Sequence, residues 1–202
     1  MNTKQKEDTA TLEILQAIEN QNDVTQRHIA DKLNVALGLA NSYLKRCVHK
    51  GLIKVQQAPA NRYLYYLTPK GFSEKSRLTA EYLSNSFHFY RKSSDSLTKL
   101  FYECEQKAFK RIVFCGLSEL TEIASIRALE HDLTVIGVWE PESNTKLFLD
   151  LPIWGNINEI PEFDRCILTA LDKASRYYEL LIKNPGKEKV MTPSILGVDV
   201  SS

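Results

Sequence analysis

Residues 25–51, with the sequence TQRHIADKLNVALGLANSYLKRCVHKG, decide the fold of the first half of this chain. Apolar residues at helical spacing predict a short helix over 26–33. Asn34-Val35 allows a tight turn before a longer helix over about 36–50. A short helix, a tight turn and a longer helix are typical of a helix-turn-helix, whose second helix reads DNA.

The segments on either side extend this motif to a winged helix. Helical spacing from Thr11 to Ile18 predicts a preceding helix, and Thr25 is a suitable N-cap for the short helix. Two β-prone runs, 52–57 and 62–67, flank a Pro- and Asn-containing turn and predict a hairpin, the wing. Three helices followed by a wing predict a winged helix-turn-helix, in which the third helix enters the major groove.

Polar, small and cationic side chains on the third helix and its surroundings are the candidates for contact with DNA. Asn41 suits a bidentate contact with adenine, and Lys45 or Arg46 suits guanine or phosphate. The predicted DNA-binding residues are Gln26, Arg27, Leu37, Gly38, Asn41, Ser42, Lys45, Arg46, Lys50 and Arg62. The alternative is a winged helix that uses this solvated face to bind another protein.

Charge is unevenly distributed along the chain. The 202 residues carry a net charge of only +1, but residues 1–92 carry +6 and residues 93–202 carry −5. A basic half joined to an acidic half favours a polyanion-binding module combined with a domain of different function.

Composition excludes several other classes of protein. A hydrophobic content of 43% with 25% charged residues argues against disorder, and no apolar run approaches the length of a membrane span or a secretion signal. Four cysteines without a CxxC pair argue against a zinc ribbon or a disulfide framework. We therefore expect a cytoplasmic protein without a membrane partner.

Residues 12 to about 103 resemble MarR-type winged-helix regulators, in particular the branch associated with exopolysaccharide gene clusters. The motifs that carry the resemblance are Thr25–Val35, Leu37-Gly38, Asn41, Lys50–Lys54, and the stretch YLTPKG at 66–71 followed by Glu74-Lys75. The resemblance implies a DNA-binding transcriptional regulator, and Pro69 after Thr68 predicts a new helix. ALGL stands at 36–39 where the family pattern has SLGK, which removes a capping side chain and a cation.

The region from Pro69 to Arg111 predicts a helical connector. Apolar residues at helical spacing are Phe72, Leu78, Tyr82, Leu83, Phe87, Tyr90, Leu97, Leu100, Phe101, Cys104 and Ala108. A polar run at 91–96 predicts a break, with a new helix capped by Ser94 or Asp95. The resemblance implies that these helices form a homodimer interface, as two-fold DNA sites require. The alternative is that the aromatic residues pack onto the chain's own second domain.

The acidic half predicts a small Rossmann-like domain. A strand over 111–116, a helix over 117–131 and a strand over 134–140 form a βαβ unit. A strand over 164–169, a helix over 173–183 and β-like residues from 190 complete an α/β fold with a parallel sheet. The predicted fold class is an α+β winged helix-turn-helix domain, a helical connector and a small α/β Rossmann-like domain, over 1–71, 72–110 and 111–202.

Rossmann-like sheets bind ligands at the carboxyl ends of their strands, near the N-terminus of the first helix. The candidate ligand-binding residues at these positions are Gly116, Leu117, Ser118, Glu119, Glu140, Thr169 and Ala170. Glu140, expected to be exposed, is placed to accept a hydrogen bond from a ribose hydroxyl. The dinucleotide fingerprint GxGxxG is absent, so a domain that only scaffolds or dimerises is the alternative.

Residues 111–196 also resemble the N-terminal domain of nucleotide-sugar O-acyltransferases, through VIGVWE at 135–140, PIWG at 152–155, RCILTA at 165–170 and TPS at 192–194. The resemblance implies a nucleotide-sugar effector; no certain cofactor follows from it. No hexapeptide repeat and no catalytic triad can be found, so we do not expect an enzyme. The leading hypothesis is a dimeric regulator of surface-polysaccharide genes that senses such a metabolite; an interaction scaffold and an enzyme acting on nucleotide-sugars are the alternatives.

Overall fold

The computed structural model of this protein describes residues 3–59 and 62–198, and the chain forms two units. The N-terminal unit ends at Phe87 and the C-terminal unit begins at His88. The predicted turn of the wing lies partly outside the described residues, because Ala60 and Asn61 are not among them.

The N-terminal unit is a winged helix-turn-helix, as predicted. Its described elements are α1 (Thr3–Asn20), α2 (Gln26–Lys32), α3 (Leu37–His49), β1 (Ile53–Ala58) and β2 (Arg62–Leu67). β1 and β2 pair antiparallel to form the wing. Apolar side chains from all of these elements form one buried cluster, which includes Ile14, Leu15, Ile29, Leu44, Ile53 and Tyr65.

Local sequence explains where α2 and α3 begin and end. Thr25 caps α2, because its hydroxyl accepts a hydrogen bond from the His28 amide at 3.1 Å. Asn34 has a φ of 50°, which permits the tight turn into α3. Gly51, at a φ of 71°, follows the end of α3. Ala36 offers no side-chain cap at the start of α3, as the departure from the MarR pattern predicted.

Helix α4 runs without a break from Pro69 to Gln106, so the predicted interruption at 91–96 is wrong. The start is as predicted, with the Gly71 amide donating to the Thr68 hydroxyl at 3.0 Å. The polar run contains no Pro or Gly, so its residues tolerate helix geometry. Ser93 and Ser96 lie buried within the C-terminal unit and therefore do not mark a solvated loop.

The C-terminal unit is a Rossmann-like α/β fold. Its described strands and helices are β3 (Arg111–Cys115), α5 (Glu119–Ala128), β4 (Thr134–Trp139), β5 (Leu147–Phe148), β6 (Leu151–Trp154), β7 (Arg165–Leu168), α6 (Ala174–Leu181) and β8 (Val190–Met191). The order in the sheet is β5-β6-β4-β3-β7-β8. All described neighbours pair parallel except the β5–β6 edge hairpin, which was not predicted.

Alternation along β3 places one buried cluster on each face of the sheet. Ile112 and Phe114 belong to the cluster that contains α5, and Val113 and Cys115 belong to the cluster that contains α6. The C-terminal part of α4 joins the α5 side through Leu97, Phe101 and Cys104. For this part of the predicted connector, packing onto the chain's own second domain is therefore the correct alternative.

Candidate functional site

The outward face of α3 is the first candidate site. Helix α3 buries Ala40 and Leu44 in the core, and at about 100° per residue Gly38, Ser42 and Lys45 lie on the opposite side. All three are exposed, and Lys45 forms no ion pair with any described residue. The centre of the predicted DNA-binding face is therefore accessible and carries an uncompensated positive charge.

Asn41 lies at one edge of this face and is only half exposed. Its side-chain carbonyl oxygen is buried and has no hydrogen-bond partner within the described part of the chain. A bidentate contact with adenine needs both the oxygen and the amide nitrogen to reach the base. A bidentate contact with adenine would therefore require the Asn41 side chain to rotate until its oxygen reaches the base.

Arg46 and Lys50 lie at the other edge, next to α1, and both contact one carboxylate. Glu7 of α1 lies 2.9 Å from the Arg46 guanidinium and 3.5 Å from the Lys50 ammonium. The guanidinium of Arg46 also lies 5.4 Å from the centre of the Tyr43 ring. Sequence reasoning missed Glu7, because about forty residues separate it from its partners.

The other predicted contacts differ in accessibility. Gln26 donates a long, 3.4 Å hydrogen bond to the Tyr65 hydroxyl and so links α2 to the wing. Arg27 and Arg62 are exposed and have no ion-pair partner among the described residues, and Leu37 is 44% exposed. His49 was not predicted, although it is exposed on the same face of α3, four residues after Lys45.

The second candidate site, the Gly116–Glu140 crevice, lies at the carboxyl ends of β3, β4 and β7. Gly116 has a φ of 107°, and a Cβ atom placed on it would lie 2.4 Å from the Cβ of Ala170. The hydroxyls of Thr121 and Thr169 both donate to the Gly116 carbonyl, at 2.7 and 2.9 Å. Position 116 therefore accepts only glycine, because Ala170 and the positive φ leave no place for a Cβ atom.

The amides expected to bind a ligand are already hydrogen-bonded within the chain. The Leu117 amide donates to Glu140 at 3.0 Å, and the Ser118 amide donates to the Thr121 hydroxyl at 3.1 Å. The Ser118 hydroxyl donates to the Thr169 carbonyl at 2.5 Å. A phosphate at this turn would have to displace these bonds. Glu119 stays exposed at the start of α5.

Glu140 is buried, so the expectation that it is exposed is wrong; only 7% of its surface is accessible. One carboxylate oxygen accepts from the Leu117 amide, and the other accepts from the Tyr177 hydroxyl and from the Glu142 amide. Burial, together with the Glu140 carboxylate, raises the pKa of Tyr177. The acid proposed to accept a ligand hydroxyl is thus satisfied by an α6 side chain and by backbone.

The described ranges hold neither a metal-ligand cluster nor a membrane-spanning helix. No group of three His, Cys, Asp or Glu side chains comes together there as a metal site. No helix in the same ranges combines the length and apolar composition that crossing a bilayer needs. The four cysteines are buried free thiols, and burial raises the pKa of Cys47 and Cys104 to about 11.

Comparisons with known proteins agree with the fold of the N-terminal unit. Residues 7–54 match the family model described as winged helix-turn-helix DNA-binding, which covers most of α1, all of α2 and α3 and the start of β1. No curated protein matches the chain.

Several solved structures are similar to parts of the chain. MepR, a transcription regulator of the Staphylococcus aureus multidrug efflux pump MepA, is 23% identical over 41% of this chain, with a TM-score of 0.36. The chain spans only 61% of the length of MepR. The PcaV regulator from Streptomyces coelicolor is 16% identical over 54% of this chain and 74% of its own, with a TM-score of 0.37. Human N-acetylserotonin methyltransferase is 12% identical over 93% of this chain and 74% of its own, with a TM-score of 0.34.

Proposed function

We propose that this chain is a homodimeric, MarR-type transcription regulator that acts in the cytoplasm and binds duplex DNA through α3 and the wing. The observation that carries the proposal is the accessible centre of the α3 face, with Lys45 unpaired among the described residues. The winged-helix match and the +6 charge of residues 1–92 support it. The proposed domains are a DNA-binding domain over 1–71, a connector over 72–110 and a Rossmann-like domain over 111–202, and the connector from His88 onward belongs to the C-terminal unit.

Salt-dependent DNA binding tests this function. About six phosphate contacts per dimer give a slope of log affinity against log salt of about −5. Lys45→Ala is expected to weaken binding and to make the slope shallower, whereas the control Lys99→Ala, an equal charge change on α4, is not. Affinity that does not change between about 50 and 200 mM salt would contradict DNA binding and favour the protein-binding winged helix.

The first half of α4 supports the homodimer. Phe72, Leu83 and Phe87 lie on one helical face, since eleven and four residues separate them, and they are 48%, 47% and 58% exposed. Large exposed apolar side chains on one helix face favour an interface, and a second copy of the chain would cover these symmetrically. Leu83→Asp is expected to yield monomers in light scattering, whereas Asn85→Asp, which adds the same charge on the opposite side of α4, keeps the dimer.

Two functions compete for the C-terminal unit. One is sensing a nucleotide-sugar at the Gly116–Glu140 crevice to control surface-polysaccharide genes. The other is a scaffold that oligomerises or recruits a protein, and the internal hydrogen bonds of Leu117, Ser118 and Glu140 favour it. We expect no shift of the melting temperature with UDP-glucose, GDP-mannose or NAD. A saturable rise of the melting temperature with one of these ligands would instead support sensing.

A further inference from the structure

Two cations at the edge of the α3 face share one acid in the N-terminal unit. Glu7 pairs with Arg46 at 2.9 Å and with Lys50 at 3.5 Å. The three side chains are 30%, 46% and 53% exposed, in that order, so water and solute ions reach all of them. The local charge is therefore +1 instead of the +2 that the cations alone would contribute.

We propose that Glu7 is an intramolecular counter-ion that competes with DNA phosphates for Arg46 and Lys50 and thereby sets the DNA affinity lower than the α3 face could provide. This inference rests on the proposed DNA-binding function and adds to it a residue that regulates the same surface.

The chemistry of the three groups supports competition. Carboxylate and phosphate oxygens are both anionic acceptors, so a phosphate that approaches the Lys50 ammonium or the Arg46 guanidinium meets the charge of Glu7. The Arg46 guanidinium holds the pKa of Glu7 below its usual value, so the carboxylate is charged at neutral pH. Glu7 would compete with contacts to the phosphate backbone of the DNA, so its effect should be the same for every DNA sequence.

Exposure argues against a purely structural role for the pair. Solvent-exposed ion pairs contribute little to folding stability. Helix α1 is held against α3 by the buried cluster that includes Ile14, Leu15 and Leu44. The fold therefore does not depend on Glu7, and the pair can open when DNA binds.

The test compares Glu7→Gln with Glu13→Gln, another acid of α1 that forms no ion pair with any described residue. Both variants remove one negative charge and keep the size of the side chain. For a mixed-sequence duplex at about 50 mM salt, Glu7→Gln is expected to tighten binding about three- to tenfold and to steepen the salt dependence. Glu13→Gln is expected to bind like the unaltered protein, and Glu7→Gln should have no effect once Arg46 and Lys50 are both alanine.

Each other outcome overturns the inference. Unchanged or weaker binding by Glu7→Gln, with melting unaltered, would mean that Glu7 orients the cations and does not compete for them. An equal gain in both variants would mean that only net charge matters. Glu7→Ala repeats the test in case the glutamine amide replaces the carboxylate at Arg46. If the unaltered protein binds no duplex at any salt concentration, the proposed function fails and this inference fails with it.

Discussion

Truncation of Glu140 is expected to destabilise the C-terminal unit strongly, although an acid at a strand end is ordinarily a tolerant position. Glu140→Ala removes the acceptor for the Leu117 amide and for the Tyr177 hydroxyl, and Tyr177 is fully buried. A buried donor without a partner costs about 1–3 kcal/mol. The buried Tyr177 hydroxyl and the partly buried Leu117 amide together give an expected loss of about 2–6 kcal/mol in the free energy of unfolding.

Urea denaturation followed by tryptophan fluorescence reports on the unfolding of the C-terminal unit. The chain has two tryptophans, Trp139 and Trp154, and both lie in the C-terminal unit. Glu119→Ala, at the exposed start of α5, is the matched control and should change stability by less than about 0.5 kcal/mol. Glu140→Gln should cost less than Glu140→Ala, because its oxygen still accepts from one of the two donors. A loss below about 0.5 kcal/mol for Glu140→Ala would refute the reasoning.

Three other predictions each concern a single residue. Gly116→Val is expected to unfold the C-terminal unit, because its Cβ would lie 2.4 Å from that of Ala170 at a φ of 107°. A urea transition like that of the unaltered protein, in the same fluorescence assay, would contradict this. Asn41→Ala is expected to lower specific DNA affinity by about 1–3 kcal/mol relative to a mixed-sequence duplex, and equal weakening of both would show that Asn41 reads no base. Asp164 accepts from the Lys110 and Arg111 amides at 2.8 and 2.9 Å, and the Arg111 amide, followed by that of Lys110, lowers its pKa. The stability that the Asp164 carboxylate provides is present above about pH 4 and is lost as the pH falls through the lowered pKa. Asp164→Asn should therefore make acid unfolding less steep. An unchanged dependence of stability on pH would contradict this.

Short-range signals in the sequence predicted the elements of both units. Thr25, Gly51 and Pro69 act on backbone groups within a few residues, so a cap, a helix end and a helix start are visible in the sequence. The apolar strands β3 and β4, separated by an apolar-striped helix, predicted the parallel βαβ unit in the same way. The short edge hairpin of β5 and β6 was not predicted, because strands of two and four residues are too short to show a hydrophobic periodicity.

Tertiary packing determines which charged and polar side chains are exposed, paired or buried. The sequence determined that a basic winged helix precedes an acidic α/β domain, because caps, turns and hydrophobic periodicity are local. It did not reveal that Ser93 is buried, that Tyr177 donates to Glu140 or that Glu7 pairs with Arg46. Whether an ionised or hydroxyl group is exposed, paired or buried depends on partners that lie tens of residues away along the chain. Only the folded arrangement brings them within hydrogen-bonding distance, and so only the structure shows which predicted site is open and which is closed.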